Sequence, residues 1–239
     1  MWETSDDYRL LVARESVDLF ERTLEGAKFQ GSWDKSRARE IADETLPIIE
    51  ELRYSYLEPD ELAESPQVEK LEDKADEVVE ALGGDEWYRE FREKADDRRK
   101  VERSIADVRF FLNTLRNLDR RFALGEIDDP IVGVDVVVGE VMSVSEHPET
   151  DELLVCNVGI GERALAVVTN DLDVSENDAV AVAVLPPSDF HGITSEGMFL
   201  GNDDGVLTNV EGETGELPDD VPLDAFDEAR NLVDAFLSD

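Results

Sequence analysis

Residues 138–161 read VGEVMSVSEHPETDELLVCNVGIG. The stretch decides the fold because it changes the rhythm of the chain. Two valine-rich runs flank a turn of His147-Pro148-Glu149-Thr150-Asp151, and a glycine follows the second run. β-Branched residues in short runs bounded by Pro, Gly and Asp are the signature of strands. Working outward, the strands are expected at 132–144, 153–158, 164–169, 179–185 and 198–200, with an extra ribbon at 205–208. Short strands at close, even spacing suggest a small closed barrel. The stretch HGITSEGMFLG, 191–201, fits neither a helix pattern nor a simple hairpin. Beyond it, LDAFDEARNLVDAFL is expected to form a short amphipathic helix with Phe226, Leu232, Val233, Phe236 and Leu237 on its apolar side.

Upstream the pattern is helical, and the boundary is placed at GEIDDPIVG, with a helical domain over 1–128 and a barrel domain over 131–239. Four helices are expected. The first is capped by Thr4 or Ser5 and runs to about Lys28. The second opens at Ser32, reaches about Tyr56 and bends at Pro47. The third starts at Ser65-Pro66 and ends at Gly83-Gly84. The fourth spans Asp85 to about Leu124, roughly 38 residues and about 57 Å long. Trp87, Phe91, Lys94, Arg98, Val101, Ile105, Val108, Leu112, Leu115, Asp119 and Phe122 give it a heptad seam, as in a coiled coil. The fold class is therefore α+β: a helical hairpin or bundle with a long coiled-coil-like helix, then a five-stranded barrel and a short terminal helix.

Charge is the second feature. The chain of 239 residues carries 60 acidic and 23 basic side chains, a net charge of −37. At 41% hydrophobic content it is a folding chain, not an acidic disordered tail. Beyond residue 130 the only cations are Arg163 and Arg230. Such a surface fits a salt-rich cytoplasm, where the Debye length at ~1 M salt shrinks to about 3 Å and self-repulsion is screened. An acidic protein that simply repels nucleic acid is the plainer alternative. One region runs against the trend: residues 98–121 hold eight cations and three acids. Arg99, Arg103, Arg109, Arg116 and Arg120 are expected near one flank of the fourth helix. They read as a phosphate track or as partners of Glu72, Asp73, Asp76 and Glu80 on a neighbouring helix.

Catalytic and metal chemistry find little support. The single cysteine, Cys156, excludes an intrachain disulfide and a cysteine-based zinc site, and its apolar run suits a buried thiol. The two histidines are His147 and His191, and there is no Walker loop, dinucleotide fingerprint or H-E-x-x-H. No cofactor and no enzymatic activity are expected. No apolar stretch approaches the ~18 residues of a membrane span. The first ten residues lack the pattern of a signal peptide. A cytoplasmic protein is expected.

Three blocks carry a resemblance: Val138-Gly139-Glu140-Val141, then His147-Pro148-Glu149-Thr150-Asp151-Glu152-Leu153, then Ser195-Glu196-Gly197-Met198. In this order and spacing they resemble the tRNA-binding OB-fold domain of methionyl-tRNA synthetases, of the EMAP II cytokine precursor, of the phenylalanyl-tRNA synthetase beta chain and of free-standing tRNA-binding proteins. ELPDDVPL also looks like the tail of the beta-chain version. The resemblance covers roughly residues 131–222 and implies binding of tRNA or other structured RNA, a synthetase as partner, and a homodimer. On that footing His147, Asn157, Arg163, Asn170, His191, Ser195 and Glu196 are the barrel's candidate RNA contacts, with the five arginines of 98–121 added from the helical part. Ser195 and Glu196 would sit at the barrel mouth. Gly197 would let backbone pass closely under another strand, and Met198 would fill the barrel floor. Glu152 and His191 stand where the family usually has lysine and arginine, so phosphate contacts are weakened. Binding would then lean on stacking and shape. The alternative is a protein-binding, chaperone-like or assembly module that has lost RNA binding.

Overall fold

The computed structural model describes residues 2–27, 29–202 and 205–238. The chain divides into two units, 1–133 and 134–239.

The first unit is a helical bundle. Its main helices are α1 (Tyr8–Gly26), α2 (Lys35–Arg53), α4 (Pro66–Leu82) and α6 (Arg98–Arg116), with three short ones, α3 (Pro59–Ala63), α5 (Trp87–Glu93) and α7 (Leu118–Phe122). α1 packs on α2 and α6, and α4 packs on α2 and α6. Leu10, Val17, Phe20, Ile41, Leu71 and Phe111 lie fully buried between them. Phe20 and Phe111 stack face to face at 4.3 Å. Arg9 is fully buried too. It bonds Asp7 through Nε and Nη2, donates to the carbonyls of Arg121 and Gly125, and lies 4.8 Å over the Phe122 ring. A guanidinium can be buried when its charge is paired and most of its donors are used in this way.

Caps set the helix starts. Asp7 accepts from the Arg9 amide and starts α1, whereas Thr4 and Ser5 lie in a preceding turn of 3-10 helix. Asp34, not Ser32, caps α2, which continues through Pro47 to Arg53. Ser65 caps α4, Pro66 takes its first position, and Gly83 ends it at φ 116°. The Lys28 end expected for α1 lies outside the described residues.

The continuous 38-residue helix is overturned. Asp97 adopts extended backbone and accepts from the Lys100 amide, so a new helix starts at Arg98. The chain breaks again at Asn117. An aspartate that satisfies the next turn's N–H groups starts a helix better than it continues one. The seam still carries information. Trp87, Phe91, Val101, Ile105, Val108, Leu112, Leu115 and Phe122 all belong to the core. They face inward on three separate helices, while Lys94 and Arg98 fall at the first break.

The second unit is a five-stranded antiparallel sheet in the order β3-β2-β1-β4-β5. The strands are β1 (Asp135–Glu146), β2 (Leu154–Gly159), β3 (Ala164–Thr169), β4 (Ala179–Phe190) and β5 (Ile193–Phe199). The two edge strands, β3 and β5, pack side by side. The Val168 amide donates to Ser195 Oγ at 3.0 Å across that seam, so the sheet curls shut. Val141, Cys156, Val158, Leu165, Val167, Val180, Val182 and Phe199 fill the interior. Gly201–Asn202 (β6) and Gly205–Val206 (β7) form a small ribbon, and α8 (Asp227–Ser238) packs on β4 through Ala229 and Val233. Leu232 is exposed, and Phe236 and Leu237 are half-buried, so the expected apolar side is only partly used.

β4 and β5 are longer than expected, and the puzzling stretch 191–201 is a hairpin after all. His191 and Gly192 form a two-residue turn at φ 49° and 86°, flanked by the pair Phe190–Ile193. Two successive positive φ values match the right-handed twist of the strands. Asp189 Oδ1 accepts from the Gly192 amide at 2.9 Å and closes the turn. At Gly197 the expected close approach is present: a Cβ there would meet the Ala183 carbonyl oxygen at 2.6 Å. Met198 is half-buried outside the core cluster, and Phe199 takes the inward place expected of it.

Candidate nucleic-acid interface

Alternation along β2 and β3 sorts their side chains. Cys156, Val158, Leu165 and Val167 point into the barrel. Val155, Asn157, Ala164 and Ala166 therefore face outward. Asn157 pairs with Ser143 on one side and Ala166 on the other, and Val155 lies between Ser145 and Val168. The result is an outward face built of serine, asparagine, alanine and valine, with no charged side chain among these residues. Glu140, exposed on β1 opposite Gly159 of β2, bounds this uncharged patch at one end. A bulge between Val141 and Ser143 leaves Met142 exposed at its edge.

One end of the barrel is tied together by His147. The residue is 3% exposed. Nδ1 accepts from the Glu149 amide at 3.2 Å, which fixes the proton on Nε2, and Nε2 donates to the Phe190 carbonyl at 3.0 Å. The His147 and His191 rings meet edge to face at 5.9 Å. The loop 147–153 between β1 and β2 is thereby fixed to the tip of the β4–β5 hairpin. In five-stranded barrels of this kind these two loops and the β2–β3 face border the nucleic-acid groove. Asn170 is exposed just after β3, at the open end of the β2–β3 hairpin where Leu154 pairs with Thr169.

The expected site residues thus separate. His147 and His191 come together, with Asn170 following β3 and Asn157 on the neutral face. Ser195 does not reach the barrel mouth. It is 3% exposed, accepts from Val168 and donates to the Gly197 carbonyl at 2.8 Å, so its hydroxyl closes the barrel. Glu196 is buried as well and meets Arg163 Nη1 at 3.3 Å, at the turn end of β2–β3. His147 offers no ring face for a base, because it lies beneath the hairpin tip with both nitrogens engaged. Phe190, exposed at that tip, escaped the sequence reading. Its only signal was its place next to a His-Gly turn.

In the helical unit the five arginines are not one open track. Arg103 pairs with Asp107 at 2.8 Å, and Arg116 pairs with Asp76 on α4 at 2.6 Å. Arg109 stands 4.7 Å over the Tyr88 ring. Arg99 and Arg120 are exposed. Burial pushes the Asp107 carboxyl above the usual range, against the pull of Arg103 and a bond from Thr23. Burial also pushes the Cys156 thiol up to about 11. Among the described residues no group of three or more His, Cys, Asp or Glu could hold a metal ion, and no helix is long and apolar enough to cross a membrane.

Comparison with known proteins agrees with this division. Residues 136–224 match the family described as "Putative tRNA binding domain". The phenylalanine–tRNA ligase beta subunit of Thermotoga maritima is 29% identical over 102 residues, 38% of this chain and 13% of that protein. The methionine–tRNA ligase of Pyrococcus abyssi is 32% identical over 83 residues, 32% of this chain and 12% of that protein. The "Putative tRNA-binding protein YtpR" of Bacillus subtilis is 32% identical over 91 residues, 34% of this chain and 45% of that protein. The chain thus spans a small part of the two ligases and under half of the third relative. Residues 1–125 match the family described as "Alpha helical domain". The chain belongs to that alpha-helical-domain family, and its second unit holds the residues that match the tRNA-binding-domain model.

Proposed function

We propose that the protein binds tRNA through the uncharged patch of Ser143, Ser145, Asn157 and Ala166 on the outer face of β1–β2–β3 and the rim formed by loop 147–153 and the β4–β5 tip. It would act without catalysis of its own, as an accessory to an aminoacyl-tRNA synthetase in the cytoplasm. The observation that carries this is the absence of charge among Ser143, Ser145, Val155, Asn157, Ala164 and Ala166 on the barrel whose family is tRNA-binding. A phosphate backbone is repelled by the acidic surface but not by this face. Self-association belongs to the same proposal, and so does a salt-rich setting, for which the net charge of −37 is the support.

The charge gives the reading an unusual signature. Binding through counterion release weakens steeply with salt. Here added salt screens repulsion instead, so affinity for tRNA should hold or rise between 0.1 and ~2 M KCl. Filter binding of tRNA against a single-stranded RNA of equal length tests this. Asn157→Asp, which places a carboxylate on the neutral face, should weaken tRNA binding at low salt and less so at high salt. Equal, negligible binding of both RNAs at every salt concentration would overturn the proposal. The protein-binding alternative would then be the better reading. Sedimentation of the intact chain tests self-association.

A further inference from the structure

The last three residues of β4, Ser188, Asp189 and Phe190, are exposed, while Pro187 just before them is buried. Hydrophobic strand residues that serve a core alternate with polar ones and point inward. Phe190 breaks that rule. It stands 37% exposed at the hairpin tip, where its ring has no part in the barrel core. Yet its backbone is held with care. The carbonyl receives the His147 Nε2 proton at 3.0 Å, and the adjoining turn is closed by Asp189. His191 follows at φ 49°, a strained value for a residue with a side chain, and its ring rests edge to face on His147. Both histidines of the chain are thus spent on supporting and flanking one exposed aromatic ring.

We infer that the β4–β5 tip is a site for one unpaired nucleobase, with Phe190 as the stacking platform and His191 beside it. His147 is a positioning residue that sets the height of the tip. This rests on the proposed RNA-binding function and narrows it to unpaired nucleotides. The surroundings favour them over a duplex. Glu149, Asp151 and Glu152 are exposed on the loop that His147 ties to the tip, and Asp189 at the end of β4 turns its carboxylate to the Gly192 amide. A duplex would bring two phosphate chains against these carboxylates. A splayed base reaches the ring with its own phosphates held away, and stacking on an aromatic ring is tolerant of sequence and needs no cation.

The test uses the intact chain in ~2 M KCl with two probes: unfractionated tRNA, and an RNA hairpin bearing 2-aminopurine at one unpaired loop position. Stacking on Phe190 should change the fluorescence of the loop base, and the same base paired in a blunt duplex should show no change. Phe190→Ala should weaken hairpin binding roughly 5- to 100-fold and abolish the fluorescence change. Phe190→Trp should restore both. Because the ring is outside the core, circular dichroism and thermal unfolding of both variants should match the parent. If Phe190→Ala binds both probes and changes the fluorescence as the parent does, the tip is no base site, although RNA binding would stand. If the parent binds neither probe, the RNA-binding proposal itself falls, and this inference with it.

Discussion

The Val168 amide and the Ser195 hydroxyl meet at 3.0 Å across the seam between β3 and β5, where the described residues form no backbone ladder. A side chain does there what backbone pairing does along the other four strand contacts. The same hydroxyl donates to the Gly197 carbonyl, so one serine satisfies groups on both edge strands.

Ser195→Ala leaves the buried Val168 N–H without its acceptor. An unmet buried donor costs about 1–3 kcal/mol. Urea unfolding of the barrel should show a loss of that size, with faster hydrogen exchange at Val168. An unchanged midpoint and exchange rate would mean that the seam is held by packing alone.

Gly197 lies against β4 so closely that an added Cβ would sit 2.6 Å from the Ala183 carbonyl oxygen. Backbone, not a flexible side chain, would have to move. Gly197→Ala should destabilise by about 1–3 kcal/mol, in the range of overpacked cores. Thermal unfolding measures it.

Asp107 gives the helical unit a pH dependence. Its carboxyl is raised chiefly by burial, so the folded state keeps the proton to a higher pH than the unfolded chain does. Between those two values the folded state binds more protons, and stability falls as pH rises. Below the unfolded value both states are protonated and the penalty vanishes. Asp107→Asn removes the titration while keeping an acceptor for Arg103 and Thr23. The parent's stability relative to this variant should therefore decline from about pH 4 upward and then level off. Parallel pH profiles in urea unfolding would contradict this.

Cys156 faces the barrel interior, and burial lifts its thiol to about 11. At pH 8 roughly one such thiol in a thousand is ionised, and the thiolate is the nucleophile. Iodoacetamide should leave the folded protein unmodified for hours and label it within minutes in urea. Mass spectrometry reads the difference.

The arrangement of helices before strands was legible along the chain. So were the capping of α4 by Ser65-Pro66, the full extent of β3, and the inward face of the 87–122 region. Each depends on neighbours in sequence: periodicity, a proline, a glycine pair. The breaks at 94–97 and 117 were marked only by Lys94, Arg98 and Asp119, polar residues at seam positions that read equally as interruptions within one long helix. Asp97, whose capping starts the new helix, looks in sequence like any exposed helix residue. The hairpin at His191-Gly192 was hidden for a similar reason, since a histidine at positive φ is rare enough to be discounted.

By itself, the sequence determined which residues prefer a helix or a strand, and that the second part is a small barrel similar to tRNA-binding domains. Those choices are local, set by backbone preference and by the spacing of apolar side chains. Only the tertiary structure decided what the polar residues do. Ser195 became a seam bond, Glu196 and Arg163 a pair, His147 a support, and Phe190 the ring left standing at the rim. A hydroxyl or an imidazole is free for a ligand only when nothing in the fold has used it first. Its partners come from strands far apart in sequence, which meet only when the barrel shuts.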